Sequence, residues 1–383
     1  MKNFSNYLVC FILATVVISC KNEPKKTTMK EVEQEVKKPN LKLLVGTHAS
    51  GDEQGIYQLD FNPETGELTN SEHLVKEDNS GYLYLSKDGK KVYSSNGTKP
   101  GSVSAFEWDN EGTKLSKVSN FSSEGDGACY IELSPNEDLL AAANYGSGGI
   151  VLYKVNENGK ITGEPEARQH IGKGPHDNQK SPHAHCVKFS KAGDFLYAVD
   201  LGIDKVLAYP INSDGTLGKE HTALQLDPGD GPRHLIFHPT KNRVFIINEL
   251  YSSVVSADMD IKTGIFTKID KKSTLPEEYD GPNACADIHL SNDAKFLYAS
   301  NRGHNSVAVF SVSDDGQMNL LDTESVQGDW PRNFTLSPDN NFLLVANRKS
   351  NNIAVFKRDT ATGLLSFTGN KVKLPQPVCL KFR

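Results

Sequence analysis

Gly229-Asp-Gly-Pro-Arg-His-Leu-Ile-Phe-His-Pro239, followed by Phe245-Ile-Ile-Asn-Glu249, decides the fold. An apolar run ends at a turn opening on His238, and a second apolar run ends in Asn248. Runs this short, bounded by Gly, Pro and Asn, read as strands joined by tight turns. The frame recurs along the chain. Its turn-opening residues are Ser86, Ser134, Ser190, His238, Ser291 and Ser337, spaced 48, 56, 48, 53 and 46 residues apart. Ten residues past each stands Asn96, Asn144, Asp200, Asn248, Asn301 or Asn347. A short side chain that caps its own backbone suits the turn after a second strand. Third runs follow, as in Val103-Ser-Ala-Phe106, Ile150-Val-Leu-Tyr153 and Ile353-Ala-Val-Phe356, and turns such as Asp214-Gly-Thr-Leu217 lead to fourth ones. A four-stranded repeat of roughly 50 residues is a propeller blade, which buries its faces only against its neighbours.

Six repeats leave both ends of the chain over. Pro375-Gln-Pro-Val-Cys-Leu-Lys-Phe382 reads as a first strand that stops, and Leu41-Lys-Leu-Leu-Val-Gly-Thr47 as a second strand that lacks one. Joined, they make a seventh blade and leave no open sheet edge. The expected fold is all-β: one seven-bladed β-propeller over residues 41–383, its last blade closed by the N- and C-terminal strands.

The residues ahead of it belong to another physical class. Lys2 and an apolar run from Tyr7 to Ile18 are too short to span a bilayer and read as a signal peptide over residues 1–19. Val17-Ile-Ser-Cys20 resembles a lipobox, with Cys20 as the lipidated residue. Residues 20–40, rich in Lys and Glu, read as a flexible tether. The expectation is an exported lipoprotein on the periplasmic side or surface of an outer membrane, held there through its lipid alone. A net charge of −6 provides no basic field, which argues against nucleic acid as a partner. The chain is read as a monomer, with a dimer as the alternative. Cys129, Cys186, Cys285 and Cys379 are far apart and sit in apolar runs, so buried thiols are expected rather than disulfides. Gly146-Ser-Gly-Gly149 precedes a strand, which rules it out as a dinucleotide loop.

The repeat register separates architecture from chemistry. Five residues before the turns lie Gly81, Cys129, His185, Arg233, Ala286 and Arg332, with Val378 from the C-terminal strand. Eleven past the turns lie Gly97, Tyr145, Leu201, Glu249, Arg302 and Arg348, with His48 from the N-terminal piece. Innermost strands line a propeller's tunnel, so ionisable residues at one equivalent position converge near one end of the axis. If both rows open on the same mouth, His185, Arg233, Glu249, Arg302, Arg332 and Arg348 form one cluster; an ion-pair network between blades is the structural alternative. Carboxylate and imidazole move protons, and guanidiniums bind carboxylate or phosphate and stabilise an oxyanion. That chemistry suits lactone hydrolysis or addition–elimination on a carboxylate-bearing ring. His183 and His185 could also join Asp200 or His238 around a metal, but no third ligand has the spacing. The insertion at 172–181 is expected to form a rim, a lid or a plain surface loop.

Ser181-Pro-His-Ala-His185, Gly231-Pro-Arg-His234, Asn248-Glu249, Leu297-Tyr-Ala-Ser-Asn-Arg-Gly303 and Trp330-Pro-Arg-Asn333 resemble the propeller lactonase family. That family includes bacterial 6-phosphogluconolactonases of the propeller type and fungal carboxy-muconate lactonizing enzymes. The resemblance spans about residues 41–383. It implies a seven-bladed propeller, no cofactor, no metal, and a catalytic set at His185, Arg233, Glu249 and Arg302. His183, Arg332, Arg348, Asn333 and Trp330 are the expected substrate-binding residues. The expected substrate is a small anionic or sugar-derived lactone. The alternatives are a muconate-type lactonizing cycloisomerase and a non-catalytic ligand-binding propeller. The leader departs from the family's cytoplasmic sugar-phosphate substrate.

Overall fold

The computed structural model describes residues 39–383. The signal peptide, most of the tether and Cys20 lie outside the described residues. Seven four-stranded antiparallel sheets follow one another around a ring. Blades 1 to 6 are residues 80–122, 128–169, 184–225, 232–273, 284–325 and 331–373. Blade 7 joins Pro377–Phe382, as innermost strand, to Leu41–Thr47, Ile56–Phe61 and Leu68–Val75. The closure expected from the two chain ends is therefore present.

Burial explains the strand compositions. Second strands have sheets on both sides and are mostly apolar; Leu139–Asn144 is buried at every position. Fourth strands face solvent, and Leu365–Lys373 is mostly exposed or half-buried. The turn serines are structural. Ser86, Ser134, Ser190, Ser291 and Ser337 each accept, through Oγ, the backbone N–H five residues on, at 3.0–3.1 Å. In blade 4, His238 Nδ1 substitutes by accepting from the backbone of Thr240 and Lys241.

The Asn/Asp row departs from the expected local capping. Asp200 does cap its own turn, accepting from Gly202 N at 2.9 Å. Asn144, Asn301 and Asn347 instead donate to Ser123 O, Thr274 O and Val326 O, just past the outer strand of the preceding blade. These amides stitch blade to blade. A buried carbonyl at the end of an outer strand needs a donor, and the amide reaches it where the backbone cannot.

The innermost strands share one irregularity. In blades 1, 2, 3, 4 and 6 the pairing register skips one residue: Gly81, Cys129, His185, Arg233 and Arg332. Blade 5 skips Ala286 and Asp287, and blade 7 skips Val378. Each is a β-bulge, which re-aims side chains that a regular ladder would send into the sheet faces.

Candidate active site

The bulges and the loops after the second strands open on one cavity of about 290 Å³ at the tunnel mouth. The bulge row contributes Gly81, Cys129, His185 and Arg332 to its lining; the loop row contributes His48, Gly97, Tyr145, Glu249 and Arg302. Glu249 organises the wall. Its Oε2 meets Arg233 Nε at 3.0 Å and Arg302 Nη2 at 2.8 Å. Arg302 is fixed further by donating to Ala284 O at 3.1 Å and Cys285 O at 2.6 Å. Burial opposes ionisation of Glu249, but Arg302, Arg233 and Arg332 together outweigh it and hold its pKa below the usual value.

Three guanidiniums around one carboxylate leave positive charge over. It falls on Arg332, which has no hydrogen bond or ion pair among the described residues and faces the cavity half-buried. Burial, then Arg233 and Arg302, lower its pKa. The same field acts on the histidines. Burial, then Arg233, His234 and Arg332, hold His185 well below the ordinary imidazole value. Burial, Arg332 and Arg348 do so for His48. Both imidazoles are therefore neutral at pH 7. His185 Nδ1 lies 3.8 Å from Cys129 Sγ, and its ring meets Tyr145 edge-on at 5.4 Å.

Other expected residues stand back from this cavity. His183 bonds through Nδ1 to Tyr145 O at 2.7 Å and stacks on the Tyr145 ring, which puts it behind the wall. Asn333 is buried and spent on the fold: its amide donates to Asp287 and accepts from Leu380 N at 2.7 Å. That is a structural linkage between three blades, in place of the expected substrate contact. Arg348 reaches Gln376 Oε1 at 3.3 Å and acts on His48 from behind. Trp330 carries Lys349 Nζ 3.5 Å above its ring and the Arg302 guanidinium at 5.3 Å. It braces Arg302 and does not line the cavity. Among the described residues no three His, Cys, Asp or Glu side chains converge as a metal site. The insertion at 172–181 contributes no residue to the cavity lining and is pinned to blade 3: buried Gln179 donates to Leu201 O at 2.7 Å and Asp204 Oδ1 at 2.6 Å. Three cysteines are buried, whereas Cys129 opens on the cavity.

A further ring of residues lies outside the two rows of the register that line the cavity. Four residues before the turns come Tyr82, Tyr130, Cys186, His234, Asp287 and Asn333, with Cys379 from the C-terminal strand, all buried. They close the tunnel beneath the cavity. Tyr82 stacks on Tyr130 at 4.0 Å, and both rings meet His234 edge-on.

Fold and site together define a closed seven-bladed propeller with a cationic, carboxylate-bearing cavity at its tunnel mouth. A model of the lactonase, 7-bladed β-propeller family matches residues 42–382. The chain belongs to that family. It is 32% identical over 340 residues to a 6-phosphogluconolactonase of Bacillus subtilis, covering 88% of this chain and 97% of the relative. Among solved structures, a putative 6-phosphogluconolactonase of Bacteroides fragilis is 35% identical with a TM-score of 0.82, covering 91% and 99% of the two chains. A periplasmic gluconolactonase of Pseudomonas aeruginosa is 28% identical with a TM-score of 0.85, covering 90% and 99%.

Proposed function

We propose that this protein hydrolyses the ring ester of a sugar-derived or organic-acid lactone in the cavity at the tunnel mouth. The observation that supports it is Glu249, ionised and shared by Arg233 and Arg302, beside an Arg332 that has no hydrogen-bond or ion-pair partner among the described residues. Water attacks the ring carbonyl carbon and the ring C–O bond breaks. Glu249 takes the proton from the attacking water. Arg332 stabilises the oxygen anion that develops at the carbonyl or holds an anionic group of the substrate, the two tasks an unpaired guanidinium suits. His185 is neutral, so it serves as a hydrogen-bonding group at the departing ring oxygen, to which the proton passes. No metal takes part in this reading. The relatives named for 6-phosphogluconolactone and gluconolactone mark the substrate range to test.

The test is a turnover screen of the full-length chain over sugar lactones, phosphorylated and not, measured against spontaneous hydrolysis with product analysis. Ring opening that is lost in Glu249→Gln and in His185→Ala is expected. Turnover in both variants at the parental rate refutes the site, and ring closure of a muconate-type diacid in place of ring opening refutes hydrolysis.

We also propose export as a lipoprotein anchored through Cys20, an expectation consistent with the periplasmic relative. Among the described residues no helix is long and apolar enough to cross a membrane. Cys20→Ala is expected to abolish incorporation of labelled fatty acid. Undiminished labelling of that variant contradicts the anchor.

A further inference from the structure

Arg233 is the most enclosed guanidinium of the site, 2% exposed, and one face of it is turned away from Glu249. On that side its Nη1 donates to Ala286 O at 2.5 Å and meets His234 Nε2 at 3.0 Å. Guanidinium nitrogens only donate. His234 Nε2 must therefore present its lone pair, and the ring proton sits on Nδ1, which points at Asp287 Oδ1 at 2.8 Å. Asp287 is held in turn. Its Oδ2 receives His289 Nε2 at 3.1 Å, the Asn333 amide, and Phe334 N at 3.4 Å. His289, His234 and these hydrogen bonds overcome burial and keep the Asp287 carboxyl well below its usual pKa. Burial and Arg233 hold His234 down to about 3 against the pull of Asp287, so the ring stays neutral.

We propose that Asp287 and His234 are positioning residues for lactone hydrolysis: Asp287 fixes the His234 tautomer, and His234 sets the plane of the Arg233 guanidinium. This rests on the reading of Arg233 and Glu249 as part of the reaction site. The logic is one of charge. A carboxylate behind Arg233 would compete with Glu249 for its positive charge. A neutral acceptor orients the guanidinium without that competition. The reverse tautomer would set N–H against N–H in a site without room to turn, and a misplacement of the order of 1 Å costs about 100-fold in rate. The row is also distinct in composition: where blade 4 places His234, blades 1 and 2 place Tyr82 and Tyr130, whose rings pack against it.

The experiment compares four variants of the full-length chain on one turned-over lactone: Asp287→Asn, His234→Phe, His234→Gln and Arg233→Ala. His234→Phe and Asp287→Asn are expected to lower kcat about 10- to 100-fold with KM within about twofold, while His234→Gln, whose amide oxygen can accept from Arg233, recovers to within about threefold. Nitrogen-15 spectra of histidine-labelled wild-type protein, with the His234 signal assigned by its loss in His234→Gln, are expected to show protonated Nδ1 and bare Nε2. A wild-type signal with the proton on Nε2, or on both nitrogens, overturns the inference without recourse to any variant's folding. Loss of activity in Arg233→Ala together with parental kcat in His234→Phe overturns it alone. Parental activity in Arg233→Ala overturns the underlying reading of the site.

Discussion

The two halves of the ring use one backbone device for opposite ends. In blades 3, 4 and 6 the bulged residue of the innermost strand is His185, Arg233 or Arg332; in blades 7, 1 and 2 it is Val378, Gly81 or Cys129. The bulge aims a side chain at the tunnel in either case. The small half leaves the space in which a substrate can sit, since Gly81 and Cys129 line the cavity and a Cβ on Gly81 would lie 2.9 Å from His48 Nε2. The charged half supplies the field. A bulge is thus part of the propeller's architecture, and chemistry is written on it by residue choice.

The largest loss is expected at Glu249. Glu249→Gln leaves Arg233 and Arg302 facing each other with no carboxylate between them. Breaking a buried pair by removing one partner typically costs ~3–5 kcal/mol, with the wall's geometry. A loss of kcat/KM of about 1,000-fold or more is expected, with a lowered unfolding midpoint. The pH dependence carries the same sign. Glu249's folded pKa is depressed, so the ionised carboxylate contributes stability above its unfolded pKa of ~4.3, and that contribution is lost as pH falls through the lower folded value. The parental protein should therefore lose stability in acid faster than Glu249→Gln, as read by denaturant unfolding at several pH values.

Arg332 and Arg233 differ within the charged half. Arg332 occupies the same bulge position as Arg233, yet nothing in the described fold pairs with it. Arg332→Met should lose about 100-fold in kcat/KM while the unfolding midpoint holds or rises, because a desolvated, repelled cation is removed. Arg233→Met should lose activity and stability together, since it removes one of the two arginines on Glu249 and the donor to His234 Nε2. Equal stability changes in the two variants contradict the assignment of Arg332 as the group kept free for an anion.

A weaker discriminator is the pH profile of kcat/KM. His185 and His48 are held neutral by burial and by arginine charge. The profile should run flat through the ordinary imidazole range near ~6.5, with its acid limb below ~4.3. An inflection near 6.5 assigns a titrating histidine to the reaction and removes Glu249 as the proton acceptor.

The sequence made the blades legible because serine turns and strands ending in Asn or Asp are local signals at a constant ten-residue offset, repeated once per blade. The convergence of both rows was legible for the same reason. What a row could not convey was the bulge, a property of backbone pairing rather than of residue type. Nor did residue type distinguish Arg233, spent on Glu249 and His234, from Arg332, which no described residue pairs with. Asn333 shares the Trp330-Pro-Arg-Asn333 motif with Arg332, but consecutive residues at a bulge serve different layers: one faces the cavity and the next plugs the floor. The signal for that floor was present. Ala284-Cys-Ala-Asp-Ile-His-Leu290 carries Asp287 and His289 in an otherwise apolar innermost strand, below the row that holds His185, Arg233 and Arg332.

The smallest effect is expected in the small half, at Cys129. Its thiol opens on the cavity and sits 3.8 Å from His185 Nδ1, the arrangement of a nucleophile beside a base. The electrostatics oppose that reading. Burial pushes the thiol pKa well up, with Arg233 and Arg332 offsetting only part of the rise, so the sulfur stays protonated near pH 7. Its other contacts, to Ala184 O at 3.7 Å and His185 O at 3.5 Å, are weak ones that a hydroxyl can replace. Cys129→Ser should therefore change kcat/KM by less than about threefold, whereas a route through a thioester would lose nearly everything. Retention of activity in this variant, beside its loss in Glu249→Gln, places the attacking oxygen on water and the reaction on the charged half of the ring.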